Sequence, residues 1–165
     1  MFADAPRAGL IRRLAAMMYD WLILAALWMA AMAMALALVA LLNAVGLISL
    51  ASYTDHADFI AQHKMWFQLY SVAWFCWFYL YFWCRGGQTL GMRAWRLLLV
   101  QQNGQAVTLR QAILRAITAL FGIGNLWLWL RFGKGLALQD QLSNTQVIVL
   151  TKEQSKLINL HKTAR

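Results

Sequence analysis

The sequence predicts an all-α membrane protein: two full transmembrane helices, a third apolar segment broken by glycines, and a small β-patch on the cytoplasmic side. Three observations predict it. Trp21 to Leu42 runs for 22 residues without a charge, and such a helix would reach about 33 Å, enough to cross a hydrocarbon core. Met65 to Cys84 is a second uncharged run, of 20 residues, closed by Arg85. Hydrophobic residues make up 62% of the 165 and charged ones 13%, against roughly 25% charged in soluble domains.

The chain reads as one membrane domain over 1–165. Its basic leader, 1–13, contains Pro6, the single proline. The first helix is expected over 14–42. The basic start followed by an apolar run mimics a secretory signal, but the run far exceeds the roughly 7 to 15 residues of a signal core and reads as retained. Arg13 and Asp20 stand two helical turns apart, within roughly 20° of one face and about 10 Å along the axis. The arginine can snorkel to the headgroups, whereas the short aspartate cannot.

A polar loop from Asn43 to Lys64 carries Asp55, His56, Asp58 and His63. Their spacing fits no standard metal site, so the loop reads as solvated and no metal or cofactor is expected. The second helix, expected over 65–84, holds eleven aromatics on all sides, which suits interfacial belts better than a stacking box. Cys76 and Cys84 within it read as small apolar residues.

Residues 85–109 form a basic segment. Leu97 to Val100, then Asn103-Gly104, then Ala106 to Thr108 predict a hairpin, since Asn-Gly is a strong two-residue turn signal. The third apolar segment is expected over 110–131, followed by a tail over 132–165. Only 15 residues separate Arg115 from Arg131, interrupted by Gly122, Gly124 and Asn125. That length allows either a short span or a re-entrant helical hairpin. The distribution of cations puts the N-terminus and 85–111 in the cytoplasm. The β-branched run Gln146 to Leu150 reads as a strand that pairs with the 97–108 hairpin, which favours a same-side third segment.

A net charge of +9 raises the question of nucleic acid. The cations flank apolar spans instead of forming a basic, aromatic-interleaved face, so nucleic acid is not expected. Anionic headgroups near Arg85, Arg93 and Arg96 are the expected counter-charge, at about 1 kcal/mol per cation. Enzyme chemistry is not expected either: there is no nucleophile with a His partner, no phosphate loop and no metal-ligand run.

Three blocks, GLIRRLAAMMYD, GQTLGMRAWRLLLVQQNG with LRQAILR, and LQDQLSNTQVIV, together resemble the RDD family of bacterial integral membrane proteins. The resemblance runs from about Gly9 to Val149. It implies that Arg13, Asp20 and Asp140 are the family's arginine and two aspartates. The family's middle block usually reads Gly-Gln-Thr-Pro-Gly-Lys. Here it is Gly87, Gln88, Thr89, Leu90, Gly91 and Met92, and Gln139 stands where a histidine commonly precedes the aspartate. The resemblance implies a multi-pass protein of the bacterial inner membrane, with solute or ion transport suggested.

An acid in the bilayer costs about 2.5 to 3.5 kcal/mol on insertion scales, so Asp20 is expected to face protein and find a cation or donors. Arg115 is its first expected partner and Arg13 its second. Asp140 either caps a turn or pairs with Arg93, Arg96 or Arg13. Arg13, Asp20, Asp140, Arg115 and Arg93 thus form a candidate ionic network, serving either as a packing lock or as a transport path. Gly87, Gln88, Thr89 and Gly91 read as a tight turn, with anion binding the weaker alternative. Three helices cannot enclose a water-lined path alone, so transport requires a homo-oligomer or a larger membrane complex. The alternative is a structural or accessory membrane subunit.

Overall fold

The computed structural model describes residues 5–119, 125 and 136–163. Among these the elements are α1 (Leu10–Ala44), α2 (His56–Gln62), α3 (Lys64–Gly86), α4 (Leu90–Ala94), β1 (Leu97–Gln101), α5 (Leu109–Ala119), α6 (Leu138–Leu142), β2 (Thr145–Val149) and α7 (Lys152–Thr163). The chain divides into two compact units, residues 1–21 with 77–165, and residues 22–76.

Helix α1 has 35 residues, about 52 Å of helix, so it exceeds a hydrocarbon core of roughly 30 Å. Among the described residues it is the one helix both long and apolar enough to cross a membrane. Helix α3, with 23 residues, has the length. Its many Trp and Tyr, together with Gln68, make it less apolar than the Ala-, Leu- and Met-rich α1. Of the two full spans expected from the sequence, one therefore meets this criterion among the described residues.

Within the 22–76 unit, α1 and α3 meet through polar aromatic edges. Trp28 Nε1 donates to Ser71 Oγ at 2.7 Å, and the Tyr70 hydroxyl donates to the Ala31 carbonyl at 3.1 Å. Only 11% of the most apolar window of α1 is buried, so its apolar surface is left for lipid or other chains to cover. The polar loop is organised locally. Asp55 caps α2 by accepting from Asp58 N at 2.8 Å, and His63 stacks on Phe59 with ring centroids 4.4 Å apart.

The other unit is built on a two-stranded antiparallel sheet, β1 with β2. Leu97 faces Val149 and Gln101 faces Thr145. This corrects the expected 97–108 hairpin. The Asn103-Gly104 turn is present, with Gly104 N donating to Gln101 O at 2.9 Å, but Ala106 to Thr108 form no strand. Val107 turns into the core and Thr108 immediately precedes α5, its carbonyl accepting from Ala112 N at 2.9 Å. The strand expected over 146–150 is Thr145–Val149. The leader supplies a further edge that the sequence reading did not foresee: Ala8 N donates to Val147 O, and Val149 N donates to Pro6 O, both at 2.8 Å.

Both faces of β1 are buried. Leu97 and Leu99 join a core with Ala8, Ala16, Trp83, Met92 and Ala112, while Leu98 and Val100 pack with Ile148 and Leu150. A strand covered on both sides reads as a continuous apolar run, as LLLV does. Helix α5 occupies Leu109–Ala119 of the third apolar segment. Residues 120–124 and 126–135, which include the Gly122 and Gly124 break and Arg131, lie outside the described residues.

Leu99→Ala is expected to cost about 2 to 5 kcal/mol of stability through the lost burial and the cavity left behind. Leu109→Ala, on an exposed position, should stay within about 0.5 kcal/mol of wild type. Thermal unfolding of the purified protein in detergent checks both.

Candidate functional site

The unit that holds the sheet also holds a buried polar cluster. It is organised around Asp140, which is fully buried in the first turn of α6. Asp140 Oδ2 accepts from Arg13 Nη2 at 2.6 Å, and Oδ1 from Arg115 Nη1 at 2.5 Å. Its Oδ2 also accepts from the Ala137 amide at 3.4 Å. One carboxylate thus ties α1, α5 and α6 together.

The surroundings support both arginines. Arg13 Nε donates to the Ala8 carbonyl at 3.0 Å, which joins the cluster to the leader edge of the sheet. Arg115 Nη1 also donates to Thr145 Oγ1 at 2.9 Å, and its guanidinium lies 5.4 Å from the Trp83 ring centroid. Thr145 Oγ1 is 2.7 Å from Ser143 Oγ, which in turn donates to the Gln139 carbonyl. The network continues through Gln139 Nε2 to Asn125 Oδ1 at 2.7 Å, and from Asn125 Nδ2 to Met17 Sδ at 3.2 Å. Among the described residues, Arg13 Nη1 and Gln139 Oε1 are buried with no hydrogen-bond partner.

Asp20 makes a second, separate arrangement. Its Oδ2 accepts from the Thr89 hydroxyl at 2.6 Å and its Oδ1 from the Gly91 amide at 2.8 Å. Thr89 is also the N-cap of α4, accepting from Met92 N at 3.2 Å. The loop is held from behind: Gln88 Nε2 donates to Leu97 O at 2.7 Å, and Leu99 N to Gly87 O at 2.7 Å. Gly87 has φ +64°, the left-handed region where glycine is favoured. At Gly91 a side chain is excluded by contact. A Cβ there would strike the Ala16 carbonyl oxygen and come within 2.9 Å of Asp20 Oδ1.

Asp140 is subject to opposing effects. Burial pushes its carboxyl up, but the Arg115 and Arg13 charges and the hydrogen bonds from both overcome it and hold the group below the usual carboxylate range. With both acids ionised, the buried Arg13, Arg115, Asp20 and Asp140 sum to no net charge.

A model of the RDD family matches residues 7–144. The chain belongs to the RDD family. Searches of curated proteins and of solved structures each returned no match.

This RDD protein therefore brings together Arg13, Asp140 and Arg115 but gives Asp20 a different partner from the expected arginine. The reason is geometric. Both arginines converge on Asp140, while the Gly-Gln-Thr-Leu-Gly loop reaches α1 two turns beyond Arg13 with neutral donors. Arg93 is exposed and is not among the cations paired with Asp140. The motif Gly87, Gln88, Thr89 and Gly91 is a turn, and its Thr89 and Gly91 donors are taken up by the Asp20 carboxyl of the protein itself. Sequence reasoning missed Thr145, Ser143, Trp83 and Gln139 as partners. The signal for Arg115 facing inward was available in α5, where the small Ala112 lies beside it one turn earlier while Leu109, Ile113 and Ile117 fall on another face.

Asp140→Asn is expected to lower stability by about 3 to 5 kcal/mol, because two buried guanidiniums lose their counter-charge. In wild type, the stability from this depressed carboxyl is fully present above its unfolded value of about 3.9. It is lost as pH falls through the folded value. Wild type should therefore lose stability as pH falls below about 4, and Asp140→Asn should lack that part of the pH dependence, read by unfolding in detergent across that range. Gly91→Ala should cost about 1 to 3 kcal/mol or more through overpacking against Ala16, read as a fall in Tm in detergent.

Proposed function

We propose that this RDD protein is a small integral membrane subunit that works within a larger membrane assembly, its Arg/Asp network serving to fix how the helices pack. One observation carries the reading: Asp140 is clamped between Arg13 and Arg115, so that one buried charge from each of three helices is spent on the others. Asp20 fits the same reading, because each of its oxygens already has a protein donor. The bare apolar surface of α1 leaves room for further helices from a second copy or a partner. In this proposal α3 is the second span, the N-terminus is cytoplasmic by its cation excess, and the membrane is the bacterial inner membrane.

A second reading, a solute or ion transport component acting as an oligomer, is favoured by a specific observation. Among the described residues, Arg13 Nη1 and Gln139 Oε1 are a buried donor and a buried acceptor left unsatisfied, at about 1 to 3 kcal/mol each. A purely structural lock gains nothing from them, whereas a polar solute could use both.

Proteoliposomes separate the two. Wild type and Asp20→Asn are compared for ion flux, internal pH change and thermal stability. The subunit reading expects Asp20→Asn to lower Tm and leave flux at the level of protein-free vesicles, as for wild type. Flux driven by wild type and abolished by Asp20→Asn at unchanged Tm would establish the transport reading instead.

A further inference from the structure

Helix α5 has the opposite polarity to a helix facing water. Its buried residues are Ala112 and Arg115, while Leu109, Ile113, Leu114 and Ile117 are 57%, 43%, 42% and 65% exposed. At about 100° per residue, those four fall within one arc of roughly 140°, and Arg115 lies on the far side. The charge is turned inward because Asp140 and Thr145 receive it there. Among the described residues, the apolar arc is left exposed.

We infer that the outward face of α5 is a lipid-binding surface, seated among the acyl chains of an anionic leaflet with Arg110 on the phosphates. Charge complementarity identifies the occupant. Arg110 is exposed and lies within the same arc, at the N-terminal end of the helix, where it can snorkel to the headgroup level while the two leucines and two isoleucines enter the chains. A second copy of the chain would bring Arg110 against Arg110 across a two-fold contact, whereas anionic lipid neutralises it. Sequence continuity agrees, since Ala116 to Leu130 carries no charge. The arginine collar expected from the sequence (Arg85, Arg93 and Arg96) is exposed in the same unit and would meet the same headgroups. The ion pair of Arg115 with Asp140 acquires a further role: it takes up the mid-helix charge, which is too far from the helix end to snorkel as Arg110 does.

The inference rests on the membrane reading above, so the test carries its own control. The full chain, with Cys76 and Cys84 replaced by Ala, is labelled with a polarity-sensitive fluorophore at Ile113→Cys or at Met29→Cys. It is then reconstituted in vesicles of phosphatidylcholine containing phosphatidylglycerol. Label at position 29, within the apolar run of α1, reports membrane integration alone. Label at position 113 is expected to be quenched by acyl-chain spin-labelled lipid and protected from aqueous iodide. It should also prefer spin-labelled phosphatidylglycerol over phosphatidylcholine, and Arg110→Gln should reduce that preference by about fivefold, the value of one cation at an anionic surface. Quenching by iodide at 113, or by neither agent, with lipid quenching intact at 29, would overturn the inference and leave the membrane reading standing. Equal quenching by both lipids, unchanged in Arg110→Gln, would overturn the choice of anionic lipid.

Discussion

A carboxylate shared by two guanidiniums in a buried site is the constraint on which this fold depends. Asp140 has no solvent to fall back on, and neither arginine could be buried without it, since an unpaired charge in a low-dielectric interior costs several kcal/mol. The three groups come from the start of α1, the middle of α5 and the first turn of α6. Once they meet, the start of the long apolar helix is registered against the sheet. The Ala8 carbonyl extends the same network into the leader, whose backbone completes the edge of β2. Electrostatics, sheet and membrane helix are therefore closed around one point.

The second acid follows a different solution to the same problem. Asp20 lies farther along α1 and is met by a hydroxyl and an amide presented by the Gly87–Gly91 loop. Neutral donors can hold an ionised carboxylate when they are fixed in advance. Here the fixing is done by Thr89 as the cap of α4 and by Gln88 and Gly87 bonded to β1. The loop approaches closely only because Gly91 has no side chain. A motif that looks like an external anion cradle in isolation is thus filled from within, and it ties α1 to the strand that follows.

Much of this was legible in the residues, and the failures have physical causes. The long uncharged run of α1, the apolar strands and the need to satisfy Asp20 and Asp140 follow from composition and burial costs alone. Arg115 was readable as an inward cation, but its partner was not, because a charge between two acids chooses by geometry that spacing cannot give. The same holds for β1, whose Asn-Gly turn pointed to a local hairpin. Its true partner lies more than forty residues on, and long-range pairing has no local sequence signal. The leader edge was too short to show a period. The aromatic run of α3 matches a span in length and lack of charge, and its Trp and Tyr, which suit a membrane interface, make it less apolar than α1.

The most direct test of the central claim is a double-mutant cycle between Arg13 and Asp140, with Arg13→Ala, Asp140→Ala and the pair compared by equilibrium unfolding in detergent. If the shared carboxylate organises the bundle, the double variant is less destabilised than the two singles together by at least about 1.5 kcal/mol. Additivity within about 0.5 kcal/mol would show that the two residues act independently and would contradict the account.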